Sequence, residues 1–440
     1  MFSFVLCSFK QSKMSENPKR VAVIGAGVAG LSVLRNLTDT SKNYIPTCFE
    51  RGSDIGGVWV YNKNTHIDEN GMPVFTSMYR DLMTNIPKQL MAFPDFSYQP
   101  GPSYISRPDV CDYLQRYADK YDLRQHIKMN TFVQTVRPNG KERDTKWTVS
   151  YFDVRKKDEV HKEVFDNVIV CSGHHEKPYS PEVDGLDKFK GEVLHSHNYR
   201  IPEYFKDKKV VILGASFSGQ DLAVGISRYG KKVFLSHVKD PLLTVLPAKV
   251  VEKPGIKHMT ESGVVFLDDT NEEVDVLLFC TGYRTHFPFL SKDVLQINCQ
   301  RVTPVYKHIV HIKFPTLFFV GIPKLLSYFP QSFEIAKAIV AILNGTVILP
   351  SEDQMSDDAE NDFAQRKKEG LDDSQAHFMG DGDRQWRFNK DIAKMAGLDP
   401  LPTSFQRLWD YVIVQRDHHF LTFRKQNFDI IDSDKIVEVQ

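Results

Sequence analysis

Arg20-Val21-Ala22-Val23-Ile24-Gly25-Ala26-Gly27-Val28-Ala29-Gly30 is the stretch that decides how this chain is read. Small and β-branched apolar residues run without a polar break into glycine, the pattern of a parallel strand buried on both faces. Glycines 25, 27 and 30 then open the helix-like stretch Leu31 to Leu37. The first allows a tight turn, the second lets the backbone approach a diphosphate, and the third lets helix and strand pack closely. The helix N-terminus, with its unpaired N–H groups and dipole, favours the negative charge there. The next strand, Pro46-Thr47-Cys48-Phe49, closes on Glu50, where a carboxylate can accept both ribose hydroxyls. A purely structural glycine turn followed by an incidental acid is the alternative reading.

Working outward, the pattern returns at Lys209-Val210-Val211-Ile212-Leu213-Gly214, followed by a helical stretch from Ser218 to Tyr229. Two further apolar strands, Phe165 to Gly173 and Val274 to Gly282, each end on a small residue and glycine, and look like a matched pair of crossing points. A return strand, Phe314 to Gly321, and an amphipathic helix from Phe333 to Leu343 come after them. This order predicts an α/β protein with two Rossmann-like dinucleotide-binding domains, the second inserted into the first. Residues 1–18 form an extension, 19–178 the first part of the first domain, 179–290 the inserted domain, and 291–440 the completion of the first domain with a C-terminal helical region. The polar stretch 351–384 reads as a solvated helix or loop.

Composition narrows the function. Lys and Arg number 56 and so do Asp and Glu, so no net field draws the chain to nucleic acid or an anionic membrane, and small molecules are the expected partners. The 6 cysteines are scattered without a C-x-x-C pair or zinc-type spacing, which predicts a reduced, cytoplasmic chain with no metal and no redox disulfide. No apolar run reaches the roughly 18 residues of a membrane span. Met1 to Phe9 is apolar but short, with a second start available at Met14; it reads as an unstructured extension, or as part of a signal peptide over residues 1–13 that would direct secretion. Self-association with a second copy is left open.

Further motifs carry a specific resemblance. Gly56-Gly57-Val58-Trp59 follows Glu50 closely, Phe189-x-Gly191-x-x-x-His195-x-x-x-Tyr199 precedes the second glycine turn, Leu82-Met83-Thr84-Asn85-Ile86-Pro87 lies between, and Asp275 to Tyr283 follows. Together these resemble the flavin-containing monooxygenases, over about Lys19 to Leu343. In the Baeyer–Villiger relatives the last position of the histidine motif resembles tryptophan followed by proline or aspartate; here it is Tyr199-Arg200, which favours heteroatom oxygenation.

The resemblance implies FAD on Gly25, Gly27, Gly30, Glu50 and Gly57, with Trp59 near the flavin, although Trp59 alone reads equally as a core residue. It implies NADPH on Gly214, Ser216, Ser218 and Gly219, where serine replaces the usual middle glycine; a hydroxyl is small and can donate to phosphate. The strand Lys232 to Ser236 ends without an acid, so Ser236 and Lys239 are expected to receive a 2′-phosphate, unless Lys239 is simply a solvated turn residue. Gln331 completes the cofactor set. Asn85 is the catalytic candidate: an amide can hold water, substrate or a peroxide without supplying a proton. A buried turn asparagine is the other reading. His195 is expected to couple the two domains and not to act as acid or base. The implied reaction is reduction of FAD by NADPH, formation of a flavin carbon-4a hydroperoxide with dioxygen, and oxygen transfer to a soft amine or sulfide. Short insect-type members include alkaloid N-oxygenases, so detoxification of xenobiotics such as pyrrolizidine alkaloids is the expected setting. A Baeyer–Villiger enzyme and an uncoupled NADPH oxidase remain the rivals.

Overall fold

The computed structural model describes residues 17–40, 43–380, 383–430 and 436–439; the signal-peptide reading of 1–13 lies wholly outside them, and the extension 1–18 does so except for its last residues. Chain order gives β1 (Lys19–Ile24), α1 (Val28–Asp39), β2 (Tyr44–Phe49) and β3 (Asn167–Val170). Next come β4 (Glu192–His195), β5 (Lys209–Leu213), α2 (Phe217–Ser227), β6 (Lys232–Ser236), β7 (Val250–Lys253) and β8 (Val276–Phe279). The chain ends with β9 (Leu317–Phe319), α3 (Tyr328–Leu343), α4 (Glu352–Lys368) and α5 (Arg384–Ala396), before a last helix and hairpin.

Two mainly parallel sheets result, the first with an antiparallel edge, and the protein is an α/β fold of two Rossmann-like units. In the first sheet β9, β3, β1 and β2 are neighbours in that order within seven strands. The second sheet has five strands in the order β7-β6-β5-β8-β4. Burial on both faces explains the unbroken apolar runs. Val21 and Val23 face one core, shared with Leu31 and Leu34 of α1 and Ile339 of α3, while Ala22 and Ile24 face another built on Trp147 and Phe165. In the second unit Val210 and Ile212 pack on Leu222 and Ile226 of α2, and Val211 turns to Phe234, Phe266 and Phe279. The period of two is satisfied twice in each strand.

The chain crosses between units through Lys177–Pro178 and Tyr283–Arg284, which pair antiparallel. α3 begins earlier than its apolar pattern suggests, at Tyr328, with Pro330 in the first turn, where a missing N–H breaks no helical bond. The polar stretch after residue 351 is a helix, α4, started by a capping box between Ser351 and Gln354. Among the described residues no helix is long and apolar enough to cross a membrane, and the cysteines there are unpaired.

Candidate functional site

The two glycine turns are built alike, bond for bond. In the first, Gly25 N–H donates to Phe49 O at 2.9 Å and Cys171 N–H to Ile24 O at 2.9 Å; in the second, Gly214 N–H donates to Ser236 O at 2.8 Å and Cys280 N–H to Leu213 O at 2.8 Å. Gly25 and Gly214 have φ of +103° and +108°, and a Cβ on either would lie 2.6 or 2.5 Å from the carbonyl oxygen of Cys171 or Cys280. A Cβ on Gly30 would sit 1.8 Å from Gly25 O, and one on Gly219 1.8 Å from Gly214 O. Both helices therefore start hard against their strands. Neither Gly27 nor Ser216, the residues preceding the helices, caps the first turn with a side chain. The leading N–H groups of α1 and α2 are left for an incoming anion.

The first turn is also narrowed from the far side. Gly56 N–H donates to Ala26 O at 3.1 Å, and a Cβ on Gly57 would come within 2.9 Å of Gly27 Cα. Glycine at 57, with its φ of +56°, is what lets these two backbones touch and leaves a cradle open above them. Glu50 is buried, accepting Ala26 N–H on Oε2 and Gly52 N–H on Oε1, each at 2.7 Å. Burial pushes its carboxyl up, against the pull of these amides. Each oxygen keeps a lone pair for a hydroxyl donor. Trp59 is half-buried and leans on the first core. Phosphate cradle, uncapped helix and buried acceptor together fit an adenine dinucleotide.

On the second unit Ser216 and Ser218 are exposed beside the first turn of α2, their hydroxyls without a partner among the described residues. Ser236 departs from its expected role: it is fully buried and its hydroxyl donates to Pro254 O at 2.7 Å, because the chain after β7 folds back under the end of β6. The donor a phosphate would need is already used. Lys239 is exposed and makes no ion pair among the described residues. An acid does reach this end of the sheet, from the neighbouring strand: β7 sets Glu252 opposite Leu235, where Glu252 Oε1 lies 2.9 Å from His237 Nε2 and accepts Leu242 N–H at 2.9 Å.

Asn85 stands half-buried in a turn pinned on both sides, its amide making no hydrogen bond among the described residues. Thr84 N–H donates to Ile105 O at 2.9 Å and Lys88 N–H to Ser103 O at 2.6 Å. Arg424, which no motif announced, donates to Thr84 O at 2.9 Å and to Asp221 of α2 at 2.8 Å, so it clamps the Asn85 turn to the second unit. Gln331 is buried in the first turn of α3, its amide donating to Asn389 of α5, and its Oε1 has no partner among the described residues.

His195 ends β4 with its tautomer fixed. Nδ1 accepts His197 N–H at 3.0 Å, so Nε2 carries the proton and donates to Gly282 O at 3.1 Å, on the second crossing segment. Burial pushes it down to about 4, leaving it neutral. Arg200 was visible in the sequence only as a departure from the Baeyer–Villiger pattern. Here it is buried and donates to five carbonyls, those of Asn62, Asn64, Thr76, His197 and Tyr199, stapling the second unit to the segment after Trp59.

A family described as flavin-binding monooxygenase-like matches residues 18–243 and 237–400. Flavin-containing monooxygenase FMO GS-OX-like 2 of Arabidopsis thaliana is 34% identical over 400 residues, 85% of this chain and 84% of the relative. Senecionine N-oxygenase of Tyria jacobaeae is 33% identical over 353 residues, 78% of this chain and 75% of the relative. The solved structure of S-allyl-L-cysteine S-oxygenase from Allium sativum superimposes with a TM-score of 0.86 at 32% identity, covering 93% of this chain and 95% of that one.

Proposed function

The chain belongs to the flavin-binding monooxygenase-like family, and from that premise we propose that it binds FAD at β1–α1 and NADPH at β5–α2, and puts one oxygen atom of dioxygen on a nitrogen or sulfur of a small molecule. The observation that carries this reading is the duplicated turn: two glycine cradles with uncapped helices, joined by paired crossing segments. FAD, when bound, supplies the redox chemistry, taking hydride from NADPH and activating dioxygen. The chain's own residues bind, orient and exclude water. The N–H groups of α1 hold one diphosphate and Glu50 its ribose; the N–H groups of α2 with Ser216 and Ser218 hold the other. Asn85 orients the reacting oxygen, and neutral His195 holds the crossing segment without moving protons. Substrates are soft nucleophiles: tertiary amines, alkaloids among them, and sulfides. The test is oxygen insertion into a tertiary amine and a thioether beside a ketone, since a Baeyer–Villiger enzyme would convert the ketone.

NADPH selection falls to Lys239 once Ser236 is removed from the site. Lys239→Ala is expected to raise the KM for NADPH about 10- to 150-fold, the worth of one charge-assisted hydrogen bond, with far less effect on NADH. Steady-state kinetics with both cofactors checks this. An unchanged preference would move the phosphate to His237, whose pairing with Glu252 would then matter.

A further inference from the structure

At the carboxyl edge of the first sheet one cation has no counter-charge among the described residues. Lys324 lies in the turn between β9 and α3, its main chain fixed by bonds from its N–H to His377 O at 2.8 Å and from Met379 N–H to its own O at 2.9 Å. The residue is half-buried, and among the described residues its ammonium reaches only Gln300 Oε1, at the outer limit of 3.5 Å. Burial lowers its proton affinity and no carboxylate restores it. The titratable groups that feel this charge are His174, His175 and His377, and burial holds His174 and His377 well below the usual range. The nearest acid in that stretch of sequence, Glu176, is held by Arg51 at 2.7 Å.

The rest of the surroundings are neutral and already bonded. His174 Nδ1 lies 3.1 Å from Gly321 O, and the Tyr328 hydroxyl donates to Pro323 O at 2.7 Å while meeting the His174 ring. A partly desolvated cation without a partner is costly unless an anion arrives to meet it. The cofactor diphosphate belongs at the β1–α1 turn. β9 is separated from β1 by β3, and two strand spacings amount to about 10 Å. Lys324 follows β9, at the carboxyl ends of these parallel strands, where ligand-binding crevices open.

The geometry points to Lys324 as the binding residue for a carboxylate carried by the substrate, so that the class oxygenated is a small thioether or amine bearing an acid group. This rests on the monooxygenase reading above. Calorimetric titration of the FAD-loaded protein with methylthiopropionate and with its methyl ester tests it without turnover. Wild type should bind the acid about 10- to 100-fold more tightly than the ester. Lys324→Met should erase that difference, Lys324→Arg should keep most of it, and the midpoint potential of the flavin should not move in either. Equal affinity for acid and ester in wild type overturns the proposal, as does a preference that survives in Lys324→Met. A potential shift in Lys324→Met also overturns it, by turning the lysine toward the reduced flavin. If the binding pattern holds but no amine or sulfide is oxygenated, the monooxygenase reading fails while Lys324 still binds the carboxylate.

Discussion

Asn85→Leu is expected to lower oxygenated product about 100- to 1,000-fold while NADPH is still consumed and hydrogen peroxide appears, because one preorganised donor at a reacting oxygen is worth about 2.7–4 kcal/mol. The side chain is free to do this. It is half-buried and unbonded, in a turn whose backbone is held by Ile105, Ser103 and Arg424, so its replacement should not relax the loop. Leucine keeps the volume and removes the amide. Hydride transfer depends on the two cofactor rings and should stay close to wild type. Stopped-flow absorbance separates reduction from reoxidation, and product is quantified alongside. Wild-type coupling in the variant, or a variant that cannot hold FAD, would make Asn85 a structural turn residue.

Gly27→Ala should give a folded protein that has lost its flavin. Gly27 has φ −82° and ψ −165°, which alanine adopts freely, and its Cβ would meet Gly57 Cα at 3.4 Å, an ordinary contact. The new methyl stands where the backbone has to approach the diphosphate. Losing two charge-assisted bonds of about 1.5 kcal/mol or more each weakens FAD about 100-fold or beyond. Gly30→Ala provides the contrast: with a Cβ 1.8 Å from Gly25 O, it should fail in folding itself. Bound flavin by absorbance and melting by circular dichroism distinguish the two. A Gly27→Ala protein that retains FAD as tightly as wild type would remove the first turn from the cofactor site.

The parts legible in the sequence are those that physics writes locally. A strand buried on both faces must be apolar throughout, and a helix that starts against its strand must have glycine at 25 and 30, or 214 and 219, so both units could be placed from residue types alone. What escaped depends on distant partners. Arg200 and Arg424 bond carbonyls and a carboxylate far away in sequence, and leave no periodic trace. Ser236 was misjudged because the Pro254 carbonyl that takes its hydroxyl arrives only with the next strand. The same strand register brings Glu252 to an end of the sheet where β6 itself has no acid. The bond from Gln331 to Asn389 likewise joins residues far apart in sequence.

The most direct test of the central claim is the ratio of oxygenated product to NADPH consumed by the FAD-loaded protein, measured with tertiary amines, an alkaloid, thioethers and cyclohexanone. A ratio of about one is expected for at least one amine or sulfide, with no lactone from the ketone. NADPH oxidation that yields only hydrogen peroxide across the whole panel, or lactone from cyclohexanone, would contradict it.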